Sequence, residues 1–189
     1  MSKKIILASA SPRRKQLLEQ IGLIFDVIPS DINEDCFIHH DPLKNIQALA
    51  LHKAQNVARM VQEGIIIAAD TQILINGQVL GKPIDRSDAM SMLSKLSGKT
   101  HKVITGVAIL DTQTGLKETW VETTHVTFCE LTLDEIITYL DTGDYEGKAG
   151  AYGIQGKAAV FVEKIEGCYF NVVGLPLSKL MQRLRRFCK

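Results

Sequence analysis

The chain has 189 residues, of which 46% are hydrophobic and 23% are charged, as in an ordinary soluble globular protein. Its formal net charge of +1 excludes a global field that would attract nucleic acid or a membrane surface, so any anion must be bound by a local cluster. The four cysteines have no metal-ligand spacing, and the N-terminal apolar run is too short for a signal peptide. We therefore expect a cytoplasmic protein with free thiols. The chain is long for one domain and short for two, and a single domain with two lobes over residues 1–189 would also fit.

Strands and helices alternate in the first half of the chain. The predicted elements there are a strand over 3–8, a helix from Ser11-Pro12 to Gly22, a helix from Asp41-Pro42 to about Met60 or Val61, a strand over 65–70 and a hairpin turn at Asn76-Gly77. This alternation favours an α/β protein with a partly parallel sheet.

The second half begins with one more helix and then becomes rich in strands. Its predicted elements are a helix from Asp85 or Ser87 to about Gly98, strands within 101–110 and 118–128, a short helix over 133–140, a glycine-spaced loop over 147–156, a strand over 159–165, a turn at Glu166-Gly167 and a helix from about Pro176. The two long stretches in the middle look antiparallel, so we predict a mixed sheet.

The segment SASPRR, residues 9–14, places two arginines in the first turn of the first helix. A helix N-terminus carries roughly half a positive charge and unpaired N–H groups, so cations are unfavourable there unless an anion docks. Arg13 and Arg14 either pair with surface carboxylates or bind an anion at the carboxyl end of the preceding strand. Because adjacent side chains diverge by about 100° on a helix, one arginine can be structural, and we favour Arg13 as the ligand-binding one.

A lysine interrupts the apolar face of the second helix. Ile46, Ala50 and Val57 recur at helical spacing, and Lys53 falls on the same stripe. Its ammonium either extends to solvent along the methylene stem or meets an anion.

The hairpin at Asn76-Gly77 brings charged residues together. A two-residue turn pairs Ile73 with Leu80 and would place Lys82 opposite Thr71, one step from Asp70, if the ladder continues that far. Asp70 ends an apolar run, and a buried carboxylate is costly unless it is paired or binds a metal. Asp70 either simply pairs with Lys82 or belongs to a functional site that also uses Thr71 and Gln72.

Four glycines are spaced through the segment GKAGAYGIQG, residues 147–156. Glycine permits a positive φ and close approach of a ligand to the backbone. Gln155 carries a donor and an acceptor on one planar amide, which can recognise the edge of uracil or thymine. The alternative is a flexible turn with an amide that faces solvent.

Together these residues resemble the Maf family of nucleoside triphosphate pyrophosphatases. The resemblance covers most of the chain, through LASASPRR, Glu34, Lys53, AADT, GKP, SGKTHKVITGV and AGAYGIQG…NVVGLPL in that order. It implies an α/β fold similar to that of inosine triphosphatase, with a mixed twisted sheet flanked by helices and a cleft between two lobes. It also implies hydrolysis of a nucleoside triphosphate to the monophosphate and pyrophosphate with a divalent cation, Mg²⁺ or Mn²⁺.

The resemblance further implies roles for individual residues. Asp70 matches the proton acceptor of the family. Specificity positions match Arg13, Thr71 and Gln155. Phosphate-binding roles would fall on Ser9, Arg13, Arg14, Lys53 and Lys82. The cation would be held by Asp70 and Glu34.

Within the family, AYGIQG resembles the branch that acts on dTTP and UTP, whereas the 7-methyl-GTP branch usually has a Glu-Gly segment at this place. We therefore expect a dTTP/UTP pyrophosphatase, with modified pyrimidine nucleotides as further candidate substrates. The alternatives are a 7-methyl-GTP pyrophosphatase of the same family and a nucleotide-binding regulator of septum formation. The resemblance also suggests a homodimer, with no nucleic acid or membrane partner.

Overall fold

A computed structural model of the chain describes residues 3–33 and 41–188. Within these ranges seven strands form one sheet. The strands are β1 (Ile5–Leu7), β2 (Asp26–Val27), β3 (Ile65–Ile75), β4 (Gln78–Leu80), β5 (Thr100–Asp111), β6 (Lys117–Phe128) and β7 (Val162–Glu166). Their order is β2-β1-β3-β5-β6-β7, and β4 pairs with β3. Pairing is parallel between β1 and both β2 and β3, and antiparallel between β3 and β4 and between β6 and β7. The predicted mixed α/β fold is confirmed.

Six α-helices are present in the described residues. They are α1 (Pro12–Gln20), α2 (Pro42–Ala58), α3 (Arg86–Leu96), α4 (Leu133–Leu140), α5 (Tyr169–Val173) and α6 (Leu177–Leu184). None of them is long and apolar enough to cross a membrane. Aspartates cap two helices: the Asp41 carboxylate accepts from the Leu43 N–H, and the Asp85 carboxylate accepts from the Asp88 N–H. Ser11 stands at the N-cap position of α1 as predicted, but its side chain makes no capping hydrogen bond.

Three sequence predictions need correction. Asp70 does not end a strand, because β3 continues through it to Ile75. The strand predicted over 159–165 begins later, because 157–161 form a 3-10 turn before β7. Helix α5 was not predicted, since YFNVV is rich in residues that favour strands.

The chain divides into two compact units. Unit 1 takes the described parts of Met1–Asp70, Thr105–Glu122 and Gly174–Lys189, and unit 2 takes Thr71–Ile104 and Thr123–Val173. Strands β3, β5 and β6 contribute residues to both units.

The core of unit 1 forms where α2 packs on the sheet. One buried cluster joins the helix to alternate residues of three strands. Helix α2 contributes Ala50, Ala54 and Val57. The strand residues are Ile6 of β1 and Ala8 just after it, Ile66 and Ala68 of β3, and Ala108 of β5. The small side chains allow the helix to approach closely. A Cβ at Gly106 would lie 2.3 Å from the Ile46 carbonyl oxygen, so only glycine fits beneath the first half of α2.

The core of unit 2 is rich in aromatic residues. It gathers Phe128 and Phe161 with Tyr139 and Tyr152, together with aliphatic residues of β3, α3 and α4. Edge-to-face ring contacts join these aromatic side chains. Both tyrosines belong to this apolar cluster, and both hydroxyl groups are hydrogen-bonded. The Tyr139 hydroxyl contacts the glycine-spaced segment, and the Tyr152 hydroxyl contacts β5.

Candidate active site

The buried ion pair of unit 1 joins α2 to β3. The Lys53 ammonium nitrogen lies 2.7 Å from Asp70 Oδ1, and the two side chains are only 8% and 13% exposed. The local structure explains the pair. Asp70 continues the alternation of Ile66 and Ala68 on the face of β3 that α2 covers, and Lys53 lies on the apolar stripe of α2. Of the two outcomes that the sequence left open for Lys53, contact with an anion is the observed one, and the anion is Asp70.

The loop between β1 and α1 is tied down by Arg14. Its Nε donates to the Gly174 carbonyl oxygen at 2.9 Å, and one guanidinium nitrogen donates to Ser9 Oγ at 3.2 Å. The Ser11 N–H also donates to Ser9 Oγ, at 3.2 Å. Arg14 and Ser9 are both buried. Arg14 therefore fixes the shape of the loop that opens the helix.

Arg13, the neighbouring residue, is only half buried. Helix α1 has no acidic residue in its first turn. The N-terminus of α1 therefore combines helical N–H groups with two basic side chains, and its first turn contributes no acidic side chain of its own. This is a place where an anion would be stabilised.

The hairpin register was predicted correctly as far as it extends. Ile73 pairs with Leu80 and Ile75 with Gln78, but β4 ends at Leu80. Lys82 lies beyond this end and is exposed, so the β3–β4 ladder of the described residues stops short of a pair between Lys82 and Thr71. The carboxylate of Asp70 has an ion-pair partner in Lys53, which the sequence did not predict.

The glycine-spaced segment is anchored before Gln155 by three consecutive residues. The Gly150 N–H donates to the Gly81 carbonyl oxygen at 2.9 Å. The Tyr139 hydroxyl donates to the Ala151 carbonyl oxygen at 3.2 Å. The Tyr152 hydroxyl is hydrogen-bonded to His101 Nε2 at 2.7 Å.

A second anchor lies directly after Gln155. The Asp144 carboxylate accepts from the Lys157 N–H at 3.0 Å and from the Lys148 ammonium at 2.9 Å. A Cβ at Gly156 would lie 2.2 Å from Asp144 Oδ2, so glycine is required for this contact. Burial raises the pKa of Asp144, but the hydrogen bonds and positive charges of Lys148 and Lys157 outweigh it and leave the pKa below its usual value. Gln155 itself is exposed. The segment thus has fixed ends and presents its amide outward.

Sequence reasoning missed the residues that hold this segment. His101, Tyr139 and Asp144 were not singled out, although His101 lies within a quoted family motif. A buried histidine in an alternating strand is a signal that could have been noticed. Asp144 gave no such signal, because its role depends on the fold of 147–157.

Mg²⁺ and Mn²⁺ prefer oxygen ligands, and Mg²⁺ is often held by one or two protein carboxylates together with substrate phosphates. Asp70 supplies such a carboxylate, and Lys53 contacts only its Oδ1 in the bond described above. Glu34 lies outside the described residues. Within 3–33 and 41–188 no cluster of three His, Cys, Asp or Glu side chains could hold a metal by itself. Asp70 can therefore supply one oxygen ligand to a cation.

An α/β sheet whose first helix has a basic N-terminus is a common setting for the binding of anionic ligands, and the Lys53–Asp70 pair lies in the same unit. A family model described as Maf-like protein matches residues 4–187, so the chain belongs to the Maf-like protein family.

Two relatives and one solved structure illustrate the likeness. A dTTP/UTP pyrophosphatase of Carboxydothermus hydrogenoformans is 48% identical, over 97% of this chain and 98% of the relative. A dTTP/UTP pyrophosphatase of Ruminiclostridium cellulolyticum is 49% identical, over 97% of this chain and 96% of the relative. The structure of a HAM1 protein from Coxiella burnetii is 14% identical, with a TM-score of 0.45, and the match covers 67% of this chain and 73% of that one.

Proposed function

We propose that this chain hydrolyses dTTP and UTP to the nucleoside monophosphate and pyrophosphate. The observation that carries the proposal is the buried Lys53–Asp70 pair, because a desolvated carboxylate held in one orientation is the group that this hydrolysis needs. The family membership and the printed activity of the relatives, nearly half of whose residues are identical over almost the full chain, support the same activity.

In the proposed reaction the Asp70 carboxylate accepts a proton from a water molecule whose oxygen attacks the α-phosphorus. The new bond joins the water oxygen to phosphorus, and the bond from phosphorus to the bridging oxygen of the β-phosphate breaks. Pyrophosphate leaves with the electron pair of that bond. Lys53 holds the carboxylate through Oδ1, so the proton acceptor has one orientation. Such hydrolysis depends mainly on positioning and on charge neutralisation.

The phosphate chain would be bound by basic residues and helical N–H groups. Arg13 is the arginine proposed to contact phosphate, because the guanidinium group of Arg14 is already bonded to Ser9 and Gly174. Ser9 and Arg14 would act by shaping the loop and through the remaining hydrogen-bonding capacity of the serine hydroxyl. Lys53 and the exposed Lys82 complete the proposed phosphate-binding set.

Gln155 and Thr71 are proposed to select the base, with Arg13 as the third specificity position. The amide of Gln155 is exposed on a segment anchored on both sides, which suits contact with an incoming nucleotide. An amide can donate to one carbonyl oxygen of uracil or thymine and accept from the ring N–H beside it.

A divalent cation, Mg²⁺ or Mn²⁺, is proposed to be held by Asp70, by the triphosphate and by Glu34. When bound, it would neutralise charge on the phosphate oxygens. The proposed location is the cytoplasm, and the proposed state is a homodimer. Size-exclusion chromatography with light scattering tests the oligomeric state.

The proposal is tested by incubating the purified chain with Mg²⁺ and, separately, dTTP, UTP and 7-methyl-GTP, and by measuring pyrophosphate. Release from dTTP and UTP supports it. Release from 7-methyl-GTP alone would assign the chain to the other branch of substrates. No release from any of the three would overturn the proposed activity.

A further inference from the structure

His101 is a buried polar residue that the proposed chemistry does not use. It lies on β5 in unit 2 and is only 1% exposed. Its Nε2 is 2.7 Å from the hydroxyl oxygen of Tyr152, while its Nδ1 is buried without a hydrogen-bond partner among the described residues. An unsatisfied buried polar atom is unfavourable, because it has lost its hydrogen bonds to water. A core position that needs packing alone would be better served by an apolar ring.

The aromatic neighbours leave this pair little freedom. Phe128 meets His101 edge-on with ring centroids 5.1 Å apart, and it meets Tyr152 with centroids 4.8 Å apart. The His101 and Tyr152 rings are themselves 5.5 Å apart and nearly perpendicular. Burial lowers the pKa of His101 to about 4 and raises the pKa of Tyr152, so both groups are neutral near pH 7. The hydrogen bond between them is therefore a neutral bond in a dry, closely packed environment.

The backbone beside Tyr152 has a conformation that needs support. Gly150 and Ala151 both have positive φ, 64° and 62°. This left-handed region is unfavourable for alanine, because its Cβ crowds the backbone. Three hydrogen bonds hold the backbone of residues 150–152 in place. They run from the Gly150 N–H to Gly81, from the Tyr139 hydroxyl to Ala151, and between Tyr152 and His101.

Gln155 follows Tyr152 by three residues and precedes the Asp144 anchor at 156–157. We propose that His101, acting through the Tyr152 hydroxyl, is a positioning residue for the Gln155 amide and thereby sets discrimination between thymine or uracil and cytosine. The inference rests on the proposed function, in which Gln155 recognises the base. His101 itself contacts no nucleotide in this proposal.

The chemistry of the bases explains why orientation matters. Thymine and uracil present an acceptor oxygen beside a ring N–H donor, whereas cytosine presents an amino donor beside a ring nitrogen acceptor. An amide in one orientation matches the first pair, and the same amide turned by half a rotation matches the second. A half-turn of the amide is a rotation about the side-chain Cγ–Cδ bond, so a fixed backbone does not by itself prevent it. What the anchored segment sets is the position of the amide relative to the base, and a displaced amide loses the paired hydrogen bonds that favour thymine or uracil over cytosine.

The test uses two variants that remove the same hydrogen bond from opposite sides. His101→Phe keeps an aromatic ring, and Tyr152→Phe removes a single oxygen atom. His101→Gln restores a polar group at the Nε2 position. Thr100→Val is the matched control, because Thr100 precedes His101 in β5, is exposed, and bonds only to Thr127 in the described contacts. For each protein we would measure kcat/KM and Kd for dTTP and dCTP, together with the free energy of unfolding.

In both phenylalanine variants the preference for dTTP over dCTP is expected to fall about tenfold, with a smaller change in kcat for dTTP. In the double variant His101→Phe/Tyr152→Phe the preference for dTTP over dCTP should fall no further than in either single variant. His101→Gln should recover part of this preference. Amide hydrogen exchange over 150–156 should also become faster relative to β5. Thr100→Val should change none of these values.

Unchanged preference in folded Tyr152→Phe would overturn the inference, and this variant decides the matter if His101→Phe does not fold. A fall in preference that Thr100→Val reproduces would overturn it as well, because a merely structural effect would explain both. A wild-type chain that hydrolyses dTTP and UTP while the variants keep their preference would contradict only the role of His101. A wild-type chain that hydrolyses neither nucleotide would contradict the proposed function and, with it, this inference.

Discussion

The ammonium group of Lys53 lies 2.7 Å from Asp70 Oδ1, and both side chains are buried between α2 and β3. Each charge depends on the other, because an isolated charge is strongly unfavourable in such a place. The same pair contains the proposed proton acceptor. Lys53 and Asp70 therefore affect both the free energy of unfolding and the proposed hydrolysis, and substitutions can separate these two effects.

Lys53→Met should leave the Asp70 carboxylate buried without its partner and should lower the free energy of unfolding by about 3–5 kcal/mol. The double variant Lys53→Met/Asp70→Leu should recover much of this loss, because an apolar pair suits the site. Neither variant should hydrolyse dTTP. Urea unfolding and pyrophosphate release measure the two effects. A double variant less stable than Lys53→Met would contradict the buried pair.

Gly106 determines how closely α2 approaches β5. A Cβ there would lie 2.3 Å from the Ile46 carbonyl oxygen, a backbone atom that cannot rotate away. Gly106→Ala should therefore cost about 1–3 kcal/mol of stability and lower turnover, since it displaces the helix that carries Lys53. Gly81→Ala is the control, because a Cβ at Gly81 meets nothing within 4 Å; its effect on stability should stay within about 0.5 kcal/mol. Equal effects of the two substitutions would argue against the close approach.

Asp144 anchors the segment after Gln155. Asp144→Asn should cost about 1–2 kcal/mol and should raise KM for dTTP several-fold more than it lowers kcat, since it loosens the segment without touching Asp70. Asp141→Asn offers the same chemical change in the exposed pair with Arg86, whose side chains are 44% (Arg86) and 61% (Asp141) exposed. Surface pairs contribute little, so this control should leave both stability and KM nearly unchanged. If both variants give the same kinetics, the anchoring role is wrong.

The two arginines of α1 should behave differently on substitution. Arg14→Gln removes the bonds to Gly174 and Ser9, so it should lower stability by about 1–3 kcal/mol as well as activity. Arg13→Gln should lower stability less and should raise KM for dTTP strongly, since Arg13 is the proposed phosphate ligand. Thermal unfolding and steady-state kinetics of the pair make the comparison. A larger loss of stability in Arg13→Gln than in Arg14→Gln would indicate that Arg13 is the structural arginine and Arg14 the phosphate ligand.

Acid should destabilise the chain through His101. Burial lowers its pKa from 6.5 to about 4, so between these values the unfolded chain binds a proton that the folded chain excludes. Stability from this group is complete above about pH 6.5 and is lost as the pH falls toward 4, by about 3 kcal/mol in total. His101→Gln cannot take up this proton. The difference in free energy of unfolding between wild type and variant should thus shrink or reverse from about pH 7.5 to pH 4.5, and a constant difference would rule out a buried neutral histidine.

Local patterns predicted the elements of this fold well. The Asn76-Gly77 turn led directly to the observed pairing of Ile73 with Leu80, because a two-residue turn leaves one register. Asp41-Pro42 marked the start of α2, since aspartate caps and proline suits the first helical turn. Tertiary context decided the rest. The sequence singled out Asp70 and Lys53 separately, and the packing of α2 on β3 brings them into contact.

The part of the candidate site that escaped sequence reasoning is its support. Alternation of Ile66, Ala68 and Asp70 would have indicated that the carboxylate shares a face with the core, but not which element covers that face. Likewise, Gln155 was proposed from its chemistry, whereas Asp144 and Tyr139 support a loop whose conformation includes a left-handed alanine. Such a conformation depends on several distant contacts at once.

The central claim is that Asp70 activates water for attack on the α-phosphorus of a pyrimidine nucleoside triphosphate. The most direct measurement is hydrolysis of dTTP in ¹⁸O-labelled water with Mg²⁺ by the wild-type chain and by Asp70→Asn, together with dTTP binding to both. We predict that the wild type places the label in dTMP and releases unlabelled pyrophosphate, and that Asp70→Asn binds dTTP but loses at least about a hundredfold in kcat. Label in the pyrophosphate, or near-normal turnover by Asp70→Asn, would contradict the claim.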